Sequence, residues 1–196
     1  PSKSALMASL MGSAVQTLLG SYHQAAARWD DAMAERNVDD VTASLARIVA
    51  FDRLFVASRE LHPREFEFLQ MLIGTPETFI SADDAAAALP QSMTLLTEVY
   101  QLLEQAVAVG ALAPADDQPG DDALRRTLRW SGAMNGTMLV SNPTHGTALP
   151  PDAEAYDGGH LTHDLLLAWG APRTTLNEAL ALVEELDRAG ELLPRD

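Results

Sequence analysis

The chain has 196 residues, with 13 Lys and Arg against 28 Asp and Glu, for a formal charge of −15. Such a surplus of carboxylates, with a single lysine at Lys3 and Arg scattered except for Arg125, Arg126 and Arg129, argues against nucleic acid as a direct partner, because phosphate contacts need clustered cations. With 0 Cys there is no disulfide frame, thiolate metal site or Cys nucleophile, which fits a cytoplasmic location. No apolar run approaches the roughly 18 residues of a membrane span, and no secretory h-region opens the chain. The 32 Ala and 29 Leu far outnumber 10 Val and 3 Ile, so strong helix formers dominate and an all-α fold is expected.

Residues 2–22 carry a stripe two residues wide: Leu6/Met7, Leu10/Met11, Ala14/Val15, Leu18/Leu19, then Tyr22. A step of four is helical, and the width implies contact on more than one side. Ser2 is a fitting N-cap. The polar stretch from His23 to Arg36 can continue this helix. Asn37 then caps a second helix with Asp39 and Asp40 in its first turn, and Val41, Leu45, Ile48, Val49, Phe55 and Val56 form its apolar face.

His62-Pro63 starts a third helix, because Pro fits the first turn; it carries Phe66, Leu69, Leu72 and Ile73 and stops at Gly74. Ser81 and Asp84 resemble a capping box, and Pro90 kinks or restarts the helix there. The apolar period resumes from Gln91 and stops at Gly110. Residues 113–122 read as a loop, 123–141 as a helix ended by Asn142-Pro143, and 143–158 as an irregular loop. Gly159–Trp169 is an apolar helix stopped by Gly170. Thr175 and Glu178 form a capping box for a last amphipathic helix that ends at Gly190. The sum is a bundle of about seven helices, read as one domain over 1–196, with at least one face left for a partner.

The opening residues Pro1-Ser2-Lys3-Ser4-Ala5-Leu6 look like the junction after the DNA-recognition helix in the tetracycline-repressor (TetR) family of one-component regulators. There a Ser-Lys-x-x-Leu segment begins the long fourth helix. The order of helices behind it is similar to that family's C-terminal regulatory domain. The resemblance implies a homodimer that binds a small-molecule effector. Its helix-turn-helix would lie upstream of Pro1, so DNA would be met only through that missing segment. Lys3 would contact a phosphate and orient the domain without reading sequence.

The residues themselves supply further expectations. A pocket in a helical bundle should be apolar with a few polar groups, which selects Phe55, Phe66, Met71, Met93, Tyr100, Trp130 and Met138, with Phe79 behind them. Asn135, an amide close to two glycines, needs a partner if buried, and Arg59 beside Phe55 can meet a ligand carboxylate. Gly132 and Gly136 share a helix face and lower helix stability, a loss usually offset by close helix approach. With Leu139 and with Leu161, Leu165 and Trp169 of the next helix they are the expected dimer interface.

Other readings compete. His160 and His163 lie one turn apart and form the alternative metal site of a helical metalloprotein or enzyme, although no His-Glu-x-x-His or di-iron Glu-x-x-His pattern accompanies them. A third is a ligand-free helical dimerisation module. No Gly-x-Ser-x-Gly turn, phosphate-cradling loop or convergent carboxylate pair is present, so no enzyme and no cofactor are expected. The leading expectation is the effector-sensing and dimerisation domain of a transcriptional regulator, a repressor released by a small, largely apolar ligand.

Overall fold

The computed structural model describes residues 2–74, 81–84, 86, 90, 93–114, 122–140 and 158–194. The fold is all-α. Among the described residues, seven helices of eleven residues or more run in order: α1 Lys3–Glu35, α2 Asp40–Leu61, α3 Pro63–Gly74, α4 Thr94–Ala108, α5 Asp122–Val140, α6 Gly158–Ala168 and α7 Arg173–Arg188. The side chains of Met71, Met138 and Leu139, the ring of Phe79, and the segments 75–80 and 143–157 lie outside the described residues.

α1 begins as expected, with Ser2 Oγ accepting from the Ala5 N–H at 3.0 Å. It runs 33 residues, roughly 50 Å, through the stretch that reads as polar. That stretch hides a second half of the stripe, because Ala25, Trp29, Ala32 and Met33 are all buried. At the other end Leu6 and Leu10 remain 53% and 47% exposed, so the wide stripe is packed on both sides only from Met11 onward.

Asn37 does not cap α2. Its φ of 53° makes it the left-handed residue that ends α1, with the Val38 N–H bonded back to the Met33 carbonyl at 3.1 Å. Asp39 is the cap, its carboxylate accepting from the Val41 and Thr42 N–H groups at 3.1 and 3.0 Å. Those bonds hold the Asp39 carboxyl below its ordinary range. The same left-handed ending recurs at Gly110, Gly170 and Gly190, each followed by a 6→1 bond to the helix behind it.

The capping box expected at Thr175 is not used. α7 starts three residues earlier behind Pro172, whose fixed φ suits a helix entry, and no side chain caps it. By contrast Ser81 and Asp84 do pair: the Asp84 N–H donates to Ser81 Oγ at 3.2 Å, and Ser81 Oγ donates to Asp84 Oδ2 at 2.8 Å.

α2 is the central helix. It packs against α1, α3, α4, α6 and α7, and from Thr42 to Asp52 only Arg47 is not buried. An apolar face alone would not bury it so completely. Its many small residues (Thr42, Ala43, Ser44, Ala46, Ala50) let neighbours close in on several sides. Val56, expected on the apolar face, is instead 36% exposed, because the burial thins toward the α2 C-terminus.

The C-terminal residues close the bundle. Trp29 Nε1 donates to the Leu192 carbonyl at 2.8 Å. Arg28 donates to the Gly190 and Leu193 carbonyls. Arg36 reaches Glu185 at 3.2 Å and Glu191 at 3.1 Å. One face of α1 thus holds residues 190–193 as a strap over the end of α7.

Candidate functional site

Four helices bring six aromatic rings into one continuous series. Trp29 and Tyr22 of α1 are 6.1 Å apart, and Tyr22 is 5.0 Å from Phe51 of α2. Phe51 stands 5.5 Å from Trp130 of α5, Trp130 5.8 Å from Phe55, and Phe55 5.6 Å from Phe66 of α3. Every pair is edge-on, the arrangement the ring quadrupole favours. Phe51 and Phe55 meet the same indole because a step of four returns to the same side of α2. Of the expected pocket residues, Phe55, Phe66 and Trp130 are therefore together.

Trp130 is pinned at its polar edge. Its Nε1 donates to Thr162 Oγ1 of α6 at 3.0 Å, and that hydroxyl lies 3.7 Å from Met134 Sδ. One turn along α5, Asn135 is satisfied within the chain: Oδ1 accepts from Gln70 Nε2 of α3 at 2.9 Å, and Nδ2 donates to the Ser131 carbonyl at 2.8 Å. Beside it the buried Ser131 Oγ has no hydrogen-bond partner among the described residues. Buried rings at one end and an amide pair with an orphaned hydroxyl at the other make this stretch of the core apolar with a small polar corner. Gln70 and Ser131 are not evident in the sequence, since each is a polar residue on an amphipathic helix until the partner helix is placed.

Of the other expected residues, Tyr100 packs against the same core, and Arg59 and Met93 lie at the surface. Arg59 is exposed on α2, and Met93 is 40% exposed at the start of α4. Tyr100 is half-buried on α4 and its hydroxyl donates to Glu104 at 3.2 Å. Met71 and Met138 have side chains outside the described residues. Burial, and to a lesser degree the carboxylates of Glu98 and Asp30, push the Tyr22 phenol up to about 12.

The outer side of α5 is different. Leu124 and Leu128 are 43% and 55% exposed, large values for leucine. They continue at a step of four into Gly132 and Gly136, where a Cβ would meet nothing within 4 Å. Among the described residues nothing packs where a side chain at either position would stand. Leu161 and Leu165 of α6 are half-buried, but Trp169 does not face outward. It is 6% exposed, with the Arg126 guanidinium over its ring at 5.7 Å, and Arg126 in turn donates to the Ala113 carbonyl at 2.7 Å. The indole, the largest apolar surface at this end of α6, is drawn into the chain's own core. Leu139 lies outside the described side chains.

The described histidines do not converge on one site. His160 is exposed, and His163 Nδ1 is 3.2 Å from Asp164 of its own helix. Among the described residues no group of three or more His, Asp or Glu is gathered in a way that could hold a metal ion. His62 ends α2 through its backbone while its Nε2 bonds Ser21 Oγ at 2.6 Å, and His23 pairs with Glu98 at 3.0 Å. Lys3 is an exposed residue in the first turn of α1.

Within the all-α bundle, α5 thus turns one side to buried aromatic rings and the other outward, with Leu124 and Leu128 exposed and open space at Gly132 and Gly136 among the described residues. Among the described residues no helix is long and apolar enough to cross a membrane. Comparison of the chain with family models, curated proteins and solved structures finds no match.

Proposed function

We propose that this chain is the effector-sensing and dimerisation domain of a one-component, TetR-like transcriptional regulator, acting as a repressor that a small, largely apolar ligand releases. The observation that carries the reading is that one helix, α5, holds both features. Trp130, Ser131 and Asn135 belong to the aromatic and amide site, and Gly132 and Gly136 belong to the bare outer stripe. A ligand that fits only one placement of α5 would shift the population of dimer arrangements, and with it the spacing of two DNA-reading heads. A ligand approaching Ser131 Oγ would give that buried hydroxyl the partner it lacks among the described residues.

The stripe is self-complementary, which favours a second copy as its occupant. In an antiparallel two-fold pairing centred between positions 128 and 132, Leu128 falls opposite Gly132 of the other copy and Leu124 opposite Gly136. Two exposed leucines then fill the two places where side chains are missing. DNA reading is assigned to a helix-turn-helix outside this chain, because a charge of −15 repels phosphate.

Sedimentation of the wild type and of Gly136→Leu tests this. The wild type should sediment as a dimer. The variant should sediment as a monomer with unchanged helical circular dichroism, since the added side chain meets open space within the chain. A wild type that stays monomeric at high concentration, or a variant that stays dimeric, removes α5 from the interface and the reading with it.

A further inference from the structure

A second site lies on the far side of α2 from the aromatic rings. Arg53 is two residues from both Phe51 and Phe55, so it leaves the helix on roughly the opposite side. It borders a groove of about 370 Å³ whose other walls are Val183, Glu184, Asp187 and Arg188 of α7 and Leu192 of the strap. That volume falls within the range of small-molecule sites.

The floor and the rim differ in chemistry. Val183 and Leu192 are 2% and 3% exposed, so the floor is apolar and built into the core. Leu192 is held in place by the bond from Trp29 to its carbonyl, which makes the strap a fixed wall. The rim carries two guanidiniums and two carboxylates, all exposed. Glu184 and Arg188 stand at i and i+4, where such a pair often closes. Here none of the four is ion-paired with another, and the ion pairs of this end of the bundle join Arg36 to Glu185 and Glu191 instead. The rim therefore presents both signs of charge, from two helices, around an apolar floor.

We propose that this groove binds a small zwitterion with an apolar side chain, of the α-amino-acid class. Its carboxylate is taken by Arg53 and Arg188 and its ammonium by Glu184 and Asp187, while its side chain lies over the floor at Val183 and Leu192, which offer it little free surface. A guanidinium meets a carboxylate with paired donors, so Arg53, the rim residue contributed by α2, sets the ligand's orientation across the two helices. The site is independent of the aromatic site and of the dimer, and it stands or falls separately from the regulatory reading.

Titration calorimetry of the whole chain with L-leucine is the test, with isocaproate and isoamylamine as probes that each carry one of the two charges. Saturable binding with a dissociation constant on the order of millimolar is expected, as suits a small open site. Each single-charge probe should bind at least about tenfold more weakly, as should L-leucine to Arg53→Gln, the scale of one lost charge-assisted contact. Arg53 is exposed, so the variant should keep its helical circular dichroism. No saturable heat with L-leucine overturns the proposal. Equal binding of isocaproate and L-leucine overturns the zwitterion, and equal binding by wild type and Arg53→Gln overturns the groove.

Discussion

The indole N–H of Trp29, in the second half of the first helix, is bonded to the carbonyl of Leu192 at 2.8 Å, joining residues 163 positions apart. The ring is 1% exposed and Leu192 is 3% exposed, so both partners are out of water. Trp29→Phe should keep most of the apolar burial and leave the carbonyl unpaired, a loss of about 1–3 kcal/mol. Trp29→Ala should cost more, about 3–5 kcal/mol, by opening a cavity as well. Chemical denaturation of the two variants checks the order; a Trp29→Phe variant as stable as the wild type would show that the bond contributes nothing beyond packing.

Gly170 combines a φ of 89° with close approach: a Cβ there would sit 2.8 Å from Ala113 Cβ. The two segments are tied by the Ala113 N–H donating to the Trp169 carbonyl at 2.9 Å, so neither can easily retreat. Gly190 has a φ of 67° and open space around it. Gly190→Ala should cost only the left-handed backbone term, roughly 1–2 kcal/mol. Gly170→Ala should cost clearly more. Melting temperatures of the pair decide, and a Gly170→Ala no worse than Gly190→Ala would mean the Ala113 segment yields.

Tyr22 should contribute to the alkaline limb of stability. Its folded pKa is raised from 10.0 to about 12, so the folded state keeps its proton where the unfolded state releases it. The stabilisation is complete below pH 10 and is lost as pH climbs toward 12. Tyr22→Phe, which cannot ionise, should move the alkaline unfolding midpoint upward. An unchanged midpoint, followed by circular dichroism against pH, would assign alkaline unfolding to other groups. Asp39 acts at the acid end with the opposite sign: its lowered pKa gives stability that is present above its ordinary carboxylate range and lost as pH falls through the folded value.

Ser131→Ala separates ligand binding from folding. The hydroxyl is buried without a partner among the described residues, so its removal should leave the melting temperature unchanged or raise it. Small apolar compounds that stabilise the wild type in a thermal-shift screen and offer a hydrogen-bonding group should stabilise the variant less. Equal shifts in both proteins would place those compounds elsewhere.

What the sequence by itself determined is local. Ser2 as a cap, Pro63 as a helix start, and Gly110, Gly170 and Gly190 as helix ends all rest on hydrogen bonds within about six residues, where the chain carries the whole instruction. Asn37 misled because Asn serves both as a cap and as a left-handed terminator, and the competing Asp39 two residues on won the cap with two backbone bonds. Thr175 misled because a valid capping box is no obstacle to a helix that starts earlier behind Pro172. Tertiary structure alone decided the rest. It set Trp130 among rings from other helices, paired Asn135 with Gln70, turned Trp169 inward under Arg126 and left open space at Gly132 and Gly136 among the described residues. Those outcomes depend on which of several apolar or polar sides each helix turns to its neighbours. That choice is made by packing between segments tens of residues apart, which no local period records.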